Sequence, residues 1–179
     1  MSEIRVARRY AKSFIEIAQE ENLLEEIHND MEFVRHTIEG SRELELVLKS
    51  PVVNSGKKRQ ILEAVFSKHL NDITDKFFHI LVRKGREGFL PEISRQFHLF
   101  YNEINGIEIA TVQTPFALTD SLRDEFVRII KDISGKPKVE LKEEVTEGLI
   151  GGYVLRIRDR QIDDSVRARL SVLKQEMVG

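Results

Sequence analysis

A glycine-lysine pair is the first feature that could do chemistry, because glycine-rich loops ahead of a helix hold nucleotide phosphates. Such a loop needs G-x-x-x-x-G-K followed by Ser or Thr, so that backbone N–H groups surround the phosphates and the hydroxyl binds magnesium. Gly56 and Lys57 supply the last glycine and the lysine. Pro51, however, stands where the first glycine should be, and Lys58 replaces the hydroxyl residue. The segment therefore does not predict a nucleotide site.

A second glycine-rich segment, residues 148–152, has the sequence GLIGG. The dinucleotide pattern G-x-G-x-x-G is absent. The glycines also precede a predicted strand rather than a helix, so they lack the helix N-terminus that would bind an anion. Gly151 and Gly152 instead indicate a bend or a close backbone approach in a sheet.

Metal and nucleophile chemistry lacks a recognisable motif. The absence of cysteine excludes disulfides, thiol catalysis and thiolate metal sites. The histidines are His28, His36, His69, His79 and His98. They do not form H-E-x-x-H and show no convincing spacing to carboxylates, and we expect each to lie on a helix surface or edge. A G-x-S-x-G serine motif is also absent. We expect no active site, cofactor or metal.

Composition narrows the class of protein further. The 179 residues carry a net charge of −2, with 41% apolar and 32% charged residues. Enough apolar residues are present for a folded core, while the charge balance argues against a nucleic-acid partner. No apolar run approaches the ~20 residues of a membrane span, and the N-terminus lacks the apolar core of a secretory signal. We expect an intracellular, bacterial protein that reaches a membrane only through a partner.

The spacing of apolar residues divides the chain into two modules of different class. Residues 1–105 are helical in pattern, with about six helices joined by short connections, which predicts a helix bundle. The first helix is expected to begin after Ser2, a good N-cap residue. Residues 106–179 indicate a small α+β module with the order β-α-β-β-α. The fold class is therefore mostly α, with the boundary near residues 103–108.

The first predicted helix has an unusually wide apolar arc. Apolar side chains cover about half of its circumference, more than the ~100° that a surface helix needs to reach its own core. Either the helix is central in the bundle, or it carries a second apolar stripe for a partner helix. The second stripe would consist of Val6, Tyr10, Phe14 and Ile17. The helix from Ile73 similarly points Phe78 and Val82 away from its main face, as second-layer core or as the wall of a groove.

Four segments carry a resemblance to a known family. ARRYAKSFIEIA, SPVVNSGKKRQIL and LVRKGREGFLPEI resemble parts of the helical domain of the delta subunit of rotary ATP synthases, the bacterial relative of the mitochondrial oligomycin-sensitivity-conferring protein. GGYVLRIRDRQIDDSVRARLSVL resembles the family's C-terminal signature, in which a Gly-led strand, a short turn and an I-D-x-S-V-R-x-R-L helix start recur. The resemblance spans essentially the whole chain. It departs at Arg158, Asp164 and Ala168, where the family often has glycine.

The resemblance implies a stator subunit that performs no reaction itself. In that family the N-terminal domain, here residues 1–105, holds N-terminal segments of the alpha subunits at the top of the catalytic head. The C-terminal module, here residues 106–179, binds the end of the peripheral stalk formed by the b subunits. The membrane-anchored stalk stops the head from turning with the rotor, so that proton flow drives ATP synthesis. The resemblance also implies one copy per complex, on the cytoplasmic face of the bacterial inner membrane, without a cofactor.

Candidate binding residues follow from the helical pattern and the resemblance together. For the alpha-subunit segment they are Val6, Tyr10, Phe14, Ile17, Phe78 and Val82. Those for stalk binding or for purely structural roles are Gly151, Gly152, Asp163, Ser165, Arg167 and Arg169. In the second set the glycines would allow a bend, the acidic and hydroxyl residues would cap the last helix, and the arginines would form salt bridges or contact the stalk.

Two alternatives remain open from the sequence. One is a stand-alone helical adaptor that would bind neither alpha nor b subunits. The other is a small enzyme or nucleotide-binding regulator that would use residues 148–152.

Overall fold

The computed structural model describes residues 3–178, so the predicted N-cap residue Ser2 lies outside the described residues. The chain divides into two compact units, Met1–Tyr101 and Asn102–Gly179. Taken together, the elements make a mostly helical protein with one small mixed sheet.

The first unit is built from helices with short connections. In chain order the helices are α1 Glu3–Glu20, α2 Leu24–Glu39, α3 Arg42–Lys49, α4 Ser55–Phe66, α5 Asp72–Arg83 and α6 Leu90–Ile104, with a 3₁₀ turn at Glu87–Phe89 before the last. Side-chain caps explain several of the helix starts. Ser41, Asn54 and Asn71 each accept a hydrogen bond from a backbone N–H in the first turn of α3, α4 and α5 respectively.

Small residues on α1 let the surrounding helices approach it closely. Ala7, Ala11 and Ala18 are fully buried, on the same side of the helix as Ile15. Alanine loses no side-chain entropy on burial and leaves room for the larger side chains of neighbouring helices. The wide apolar arc predicted for this helix therefore reflects, in large part, a central position in its unit.

The second unit contains a four-stranded sheet and two helices. Its elements are β1 Ile107–Thr114, α7 Asp120–Ser134, β2 Lys138–Val145, β3 Val154–Ile157, β4 Arg160–Asp163 and α8 Val166–Val178. The strand order is β2-β1-β3-β4; β1 pairs with β2 in parallel, and the other two pairings are antiparallel. The expected order β-α-β-β-α was wrong by one strand. The additional strand is β4, residues 160–163, which pairs with β3.

The core of this unit lies between the sheet and α7. Alternate residues of β1 are buried, as expected for a central strand with one face covered. Ala110 and Val112 pack with Phe126 and Ile130 of α7 and with Leu155 of β3. Gly135, in a left-handed conformation with φ 70°, ends α7.

Both edges of the sheet carry charged or strongly polar side chains. The edge strand β2 has the sequence KVELKEEV, and the opposite edge strand β4 has the sequence RQID. All four residues of β4 are exposed. Among residues 3–178, no helix combines the length and apolar character needed to cross a membrane.

Candidate functional site

The residues predicted to bind an alpha-subunit segment divide into core and surface positions. Val6, Phe14, Phe78 and Val82 are buried. Tyr10 is half-buried, and Ile17 is 42% exposed. The four residues of the expected stripe on α1 therefore follow helical spacing, but they are not all accessible to a partner. A partner can reach Ile17 and part of Tyr10 without rearrangement of the helices.

Phe14 is a core residue, which corrects its expected place in an open groove. Its ring stacks on Phe77 of α5 with 3.9 Å between centroids and an interplanar angle of 3°, and it lies 5.5 Å from the ring of Phe97 of α6. Phe14 is 0% exposed. A charge introduced here would be buried without a partner, so it would disrupt the fold before it disturbed any docking surface.

The accessible apolar surface of this unit includes other residues of the same helices. Ile80 of α5 is 43% exposed, and it lines an open cleft of about 460 Å³ between α4 and α5, together with Val82. Arg59, Arg83 and His79 lie on the polar part of the cleft wall. We refer to Tyr10, Ile17 and Ile80 as the α1/α5 surface. Ile80 was not a candidate from the sequence, because helical spacing assigned it to the core face of its helix.

Lys58, the residue that follows the glycine-lysine pair, has a structural role at the start of α4. Lys58, at the position that would hold magnesium in a phosphate loop, turns inward and is 5% exposed. Its Nζ donates to the Leu48 carbonyl oxygen and to Glu87 Oε1, each at 2.8 Å. The buried ion pair thereby ties α4 to the end of α3 and to the 3₁₀ turn.

Gly152 permits a close backbone approach at the start of α8. Its φ is 76°, and a Cβ atom there would overlap the carbonyl oxygen of Asp164 and lie 2.9 Å from Ser165 Cα. Backbone hydrogen bonds lock the same region: Val166 N donates to the Gly151 carbonyl oxygen at 3.0 Å, and Asp164 N donates to that of Tyr153 at 3.0 Å. The pair Gly151-Gly152 thus joins the strand entry to the helix start and forms no anion site.

The last helix begins with a two-residue cap. Ser165 Oγ accepts a hydrogen bond from Ala168 N at 3.2 Å, and Asp163 Oδ1 accepts one from Ser165 N at 3.0 Å. The hydrogen bonds from the side chain and backbone of Ser165 lower the pKa of Asp163. Asp164 does not act as the cap. Its carboxylate accepts two hydrogen bonds from Arg169, at 2.7 and 2.6 Å, and these bonds lower its pKa.

The side chains of α8 are mostly exposed, including its apolar stripe. Arg167 is exposed, whereas the guanidinium of Arg169 is already occupied by Asp164. The exposed apolar residues of this helix are Val166, Leu170, Val172, Leu173 and Met177. We refer to these five residues as the α8 surface. A helix that buries so little within its own unit gains little stability from packing there.

Arg158 shows how this chain accommodates a side chain at a left-handed backbone position. Its φ is 53°, a left-handed conformation that costs a residue with a Cβ about 1–2 kcal/mol. Its guanidinium donates to both carboxylate oxygens of the buried Glu108, each at 2.8 Å, and Lys136 Nζ lies 3.2 Å from the same carboxylate. The ion pair offsets the backbone strain.

A histidine cluster lies between α2 and α6 and corrects two expectations. His28 Nε2 is 3.2 Å from His98 Nδ1, and that nitrogen is 3.2 Å from Glu32 Oε1. The His98 side chain is only 13% exposed, so it does not lie openly on a helix surface. His28 and Glu32 are four residues apart on α2. The fold places His98 of α6 beside them, which the sequence spacing does not indicate.

The surroundings of this cluster are polar and ordered. Burial raises the pKa of Glu32, but hydrogen bonds and charges of His98 and Arg35 outweigh that effect and hold its pKa far below the usual range. The ring of Tyr101 stacks on His28 with 3.5 Å between centroids. Burial and a hydrogen bond from the Tyr101 hydroxyl to Glu25 raise the pKa of Tyr101 to about 12.

Comparison with known proteins shows similarity over the full chain. The family model described as ATP synthase delta (OSCP) subunit matches residues 6–177. The ATP synthase subunit delta of Cytophaga hutchinsonii is 39% identical over 176 residues, which cover 98% of this chain and 96% of that relative. The protein of the same name from Desulforamulus reducens is 38% identical over 174 residues, covering 97% of this chain and 96% of the relative.

A solved structure has the same fold. The chain matches one in the cryo-EM structure of the Toxoplasma gondii mitochondrial ATP synthase hexamer with a TM-score of 0.75, at 21% identity. The match covers 97% of both chains. The mostly helical architecture with its small sheet is therefore shared with that structure, at an identity at which only the fold is comparable.

Proposed function

This chain belongs to the ATP synthase delta (OSCP) subunit family and is a stator component of ATP synthase, and we propose that it links the catalytic head to the b-subunit stalk without catalysing a reaction. Residues 1–105, as a six-helix bundle, bind the N-terminal segments of alpha subunits. Residues 106–179 bind the end of the stalk. One copy per complex would hold the head against the rotor, on the cytoplasmic face of the bacterial inner membrane.

One observation supports this division of labour: each unit leaves apolar helical side chains exposed. In the helical unit they include Ile17 and Ile80 of the α1/α5 surface, and Ile80 lines the cleft. An amphipathic helix could cover them with its own apolar face, as in other helix-in-groove complexes. The partner proposed for this surface is an alpha-subunit N-terminal helix.

The alpha-subunit site is tested by calorimetric titration of the full chain with a synthetic peptide of the alpha N-terminus. Ile17→Asp should weaken binding at least ~tenfold, because burial of a large aliphatic side chain contributes ~1.5–3 kcal/mol. Leu99→Asp is the matched control, since Leu99 of α6 is 45% exposed and Ile17 is 42% exposed. Equal affinities of the two variants would remove the α1/α5 surface from the proposed site.

The stalk site is proposed on the α8 surface, because this helix has more exposed large apolar side chains than any other described element of its unit. Leu170 is 58% exposed and lies near the middle of the helix. Arg167 adds a positive charge on the same helix that an acidic group of the stalk can pair with. Gly151, Gly152, Asp163 and Ser165 act indirectly in this proposal, by fixing where the helix begins.

A pull-down or titration with the C-terminal segment of the b subunit tests the stalk site. Leu170→Asp should weaken binding at least ~tenfold, for the same reason of lost apolar burial. Phe116→Asp is the matched control, because Phe116 is also 58% exposed but lies outside α8. If Phe116→Asp weakens binding as much as Leu170→Asp, the stalk does not bind selectively at α8.

The nucleotide-binding alternative has its own test. A ligand that binds the folded state stabilises it by mass action and raises its melting temperature. We expect no change in the melting temperature of the chain on addition of ATP, ADP or phosphate. A clear increase with ATP would instead favour the nucleotide-binding alternative.

A further inference from the structure

We propose that His28, Glu32 and His98 form a binding site for a divalent transition-metal ion, best matched by Zn²⁺, which ties α2 to α6. All three residues lie in the helical unit, and none belongs to the α1/α5 surface. Their candidate ligand atoms lie within 4.8 Å of one another. The inference is independent of the proposed stator function.

The distances in the cluster fit the edges of a tetrahedral coordination sphere. Zn²⁺ binds histidine nitrogen and carboxylate oxygen at about 2.0–2.2 Å, so neighbouring ligand atoms lie roughly 3.3 Å apart. The His28 Nε2 to His98 Nδ1 distance and the His98 Nδ1 to Glu32 Oε1 distance are both 3.2 Å. The remaining edge, from His28 to Glu32, is no longer than 4.8 Å and would shorten on metal binding. Water would take the fourth position.

The ligand types select the class of metal. Two imidazoles and one carboxylate suit Zn²⁺, Ni²⁺ or Cu²⁺, whereas Mg²⁺ and Ca²⁺ require oxygen ligands. His98 Nδ1 faces both other groups, and without a metal it either donates to Glu32 or accepts from His28. A metal ion would use all three atoms as electron-pair donors at once.

Neighbouring residues hold the ligands in place. Tyr101 stacks on the His28 ring at an interplanar angle of 9°, which fixes the plane of the imidazole. Arg35 donates to Glu32 Oε1 at 3.0 Å and to Oε2 at 2.6 Å, which orients the carboxylate. Each carboxylate oxygen has two acceptor positions, so Oε1 retains one for the metal. The Arg35 charge opposes cation binding, whereas Glu25, hydrogen-bonded to Tyr101, offsets it.

The test is calorimetric titration of the full chain with Zn²⁺, alongside visible absorption spectra with Co²⁺. We expect saturable one-to-one binding, a raised melting temperature and the d–d bands of a tetrahedral Co²⁺ site. His28→Gln and His98→Gln should each weaken binding at least ~tenfold, as removal of a ligand or its support does in other metal sites. Circular dichroism establishes that each variant is folded.

His79→Gln is the matched control. His79 Nε2 lies 3.1 Å from Asp75 Oδ2 with the same four-residue spacing, and 3.9 Å from Glu63, but no second histidine belongs to that group among the described residues. Zn²⁺ affinity should be unchanged in this variant. A loss as large as in His98→Gln would overturn the proposal, because binding would then be generic to surface histidines.

Nuclear magnetic resonance of the unmodified chain keeps the proposal testable if both ligand variants unfold. Zn²⁺ should shift the imidazole C–H resonances of His28 and His98 and leave those of His69 in place. If these two resonances do not move, or if no saturable binding occurs, the cluster is only a hydrogen-bonded group and the proposal fails.

Discussion

At the scale of single residues, the most consequential interaction is the buried pair of Lys58 and Glu87. Both side chains are 7% exposed, and Glu87 Oε2 has no hydrogen-bond partner among the described residues. Lys58 also donates to the Leu48 carbonyl oxygen near the C-terminus of α3, where backbone carbonyls lack intrahelical partners. The lysine therefore caps one helix from the first turn of another.

Replacement of Lys58 by methionine should destabilise the helical unit by about 3–5 kcal/mol, because it leaves the Glu87 charge buried without its partner. The measurement is urea unfolding followed by circular dichroism. The double variant Lys58→Met/Glu87→Leu should recover much of this loss, since an apolar pair of similar volume carries no desolvation cost. A small effect of the single variant would contradict the burial of this pair.

Gly152 has the least room for a side chain among the described glycines of the second unit. We expect Gly152→Ala to lower the free energy of unfolding by more than ~2 kcal/mol. The backbone at this position is left-handed, and the new methyl group would overlap the Asp164 carbonyl. Gly148→Ala is the control, because no atom lies within 4 Å of its would-be Cβ and the change should be within ~0.5 kcal/mol. Thermal unfolding of both variants measures the difference.

At the scale of elements, α8 has a well-capped N-terminus but packs few side chains against its own unit. Its first turn is fixed by Asp163, Ser165 and the backbone bond from Val166 N to Gly151. Beyond that turn, its side chains are largely exposed. The helix is therefore held at one end and depends on a partner for the rest of its stability.

Acidification should loosen the start of α8. The hydrogen bonds from Ser165 lower the folded-state pKa of Asp163 below its usual value of 3.8. A carboxyl whose pKa is lowered on folding stabilises the folded state above the unfolded pKa, and this contribution is lost as the pH falls through the folded pKa. An NMR titration should therefore show the Ser165 amide shifting with a midpoint below pH 3.8. A midpoint at or above that pH would contradict the cap.

The sequence predicted these elements well where local signals were strong. Asn54 and Thr119 are side-chain caps and Gly135 follows the last residue of α7, and these residue types are strong local signals of helix ends. It failed on β4, since four residues with polar ends carry no strand pattern of their own and depend on pairing with β3. It also placed Phe14 on a docking face, because helical spacing cannot tell a second core layer from a surface.

At the scale of the whole molecule, the two units have separate cores. The aromatic group around Phe14 lies within the first unit, and the cluster around Val112 and Leu155 lies within the second. The sequence could indicate two modules because the apolar spacing changes from helical to alternating near Gly106. It could not indicate the histidine cluster, because His98 is distant in the chain from His28 and Glu32.

Residues 1–105, expressed alone, should fold. The fragment keeps α1 to α6 and the complete aromatic core, so its circular dichroism should be helical and its thermal unfolding cooperative. Residues 106–179 are the matching fragment, with the sheet and α7 intact. A non-cooperative transition of the first fragment would show that the helical unit depends on the rest of the chain.

Both edge strands of the sheet are charged, and this affects the protein before it meets a partner. An exposed strand edge is a template on which other chains add strands, and charged side chains oppose such addition. KVELKEEV on one edge and RQID on the other therefore protect the unassembled subunit from cross-β growth. The exposed apolar side chains of α8 remain available for association. A surplus of the subunit in the cell should therefore associate reversibly through this helix rather than form fibres.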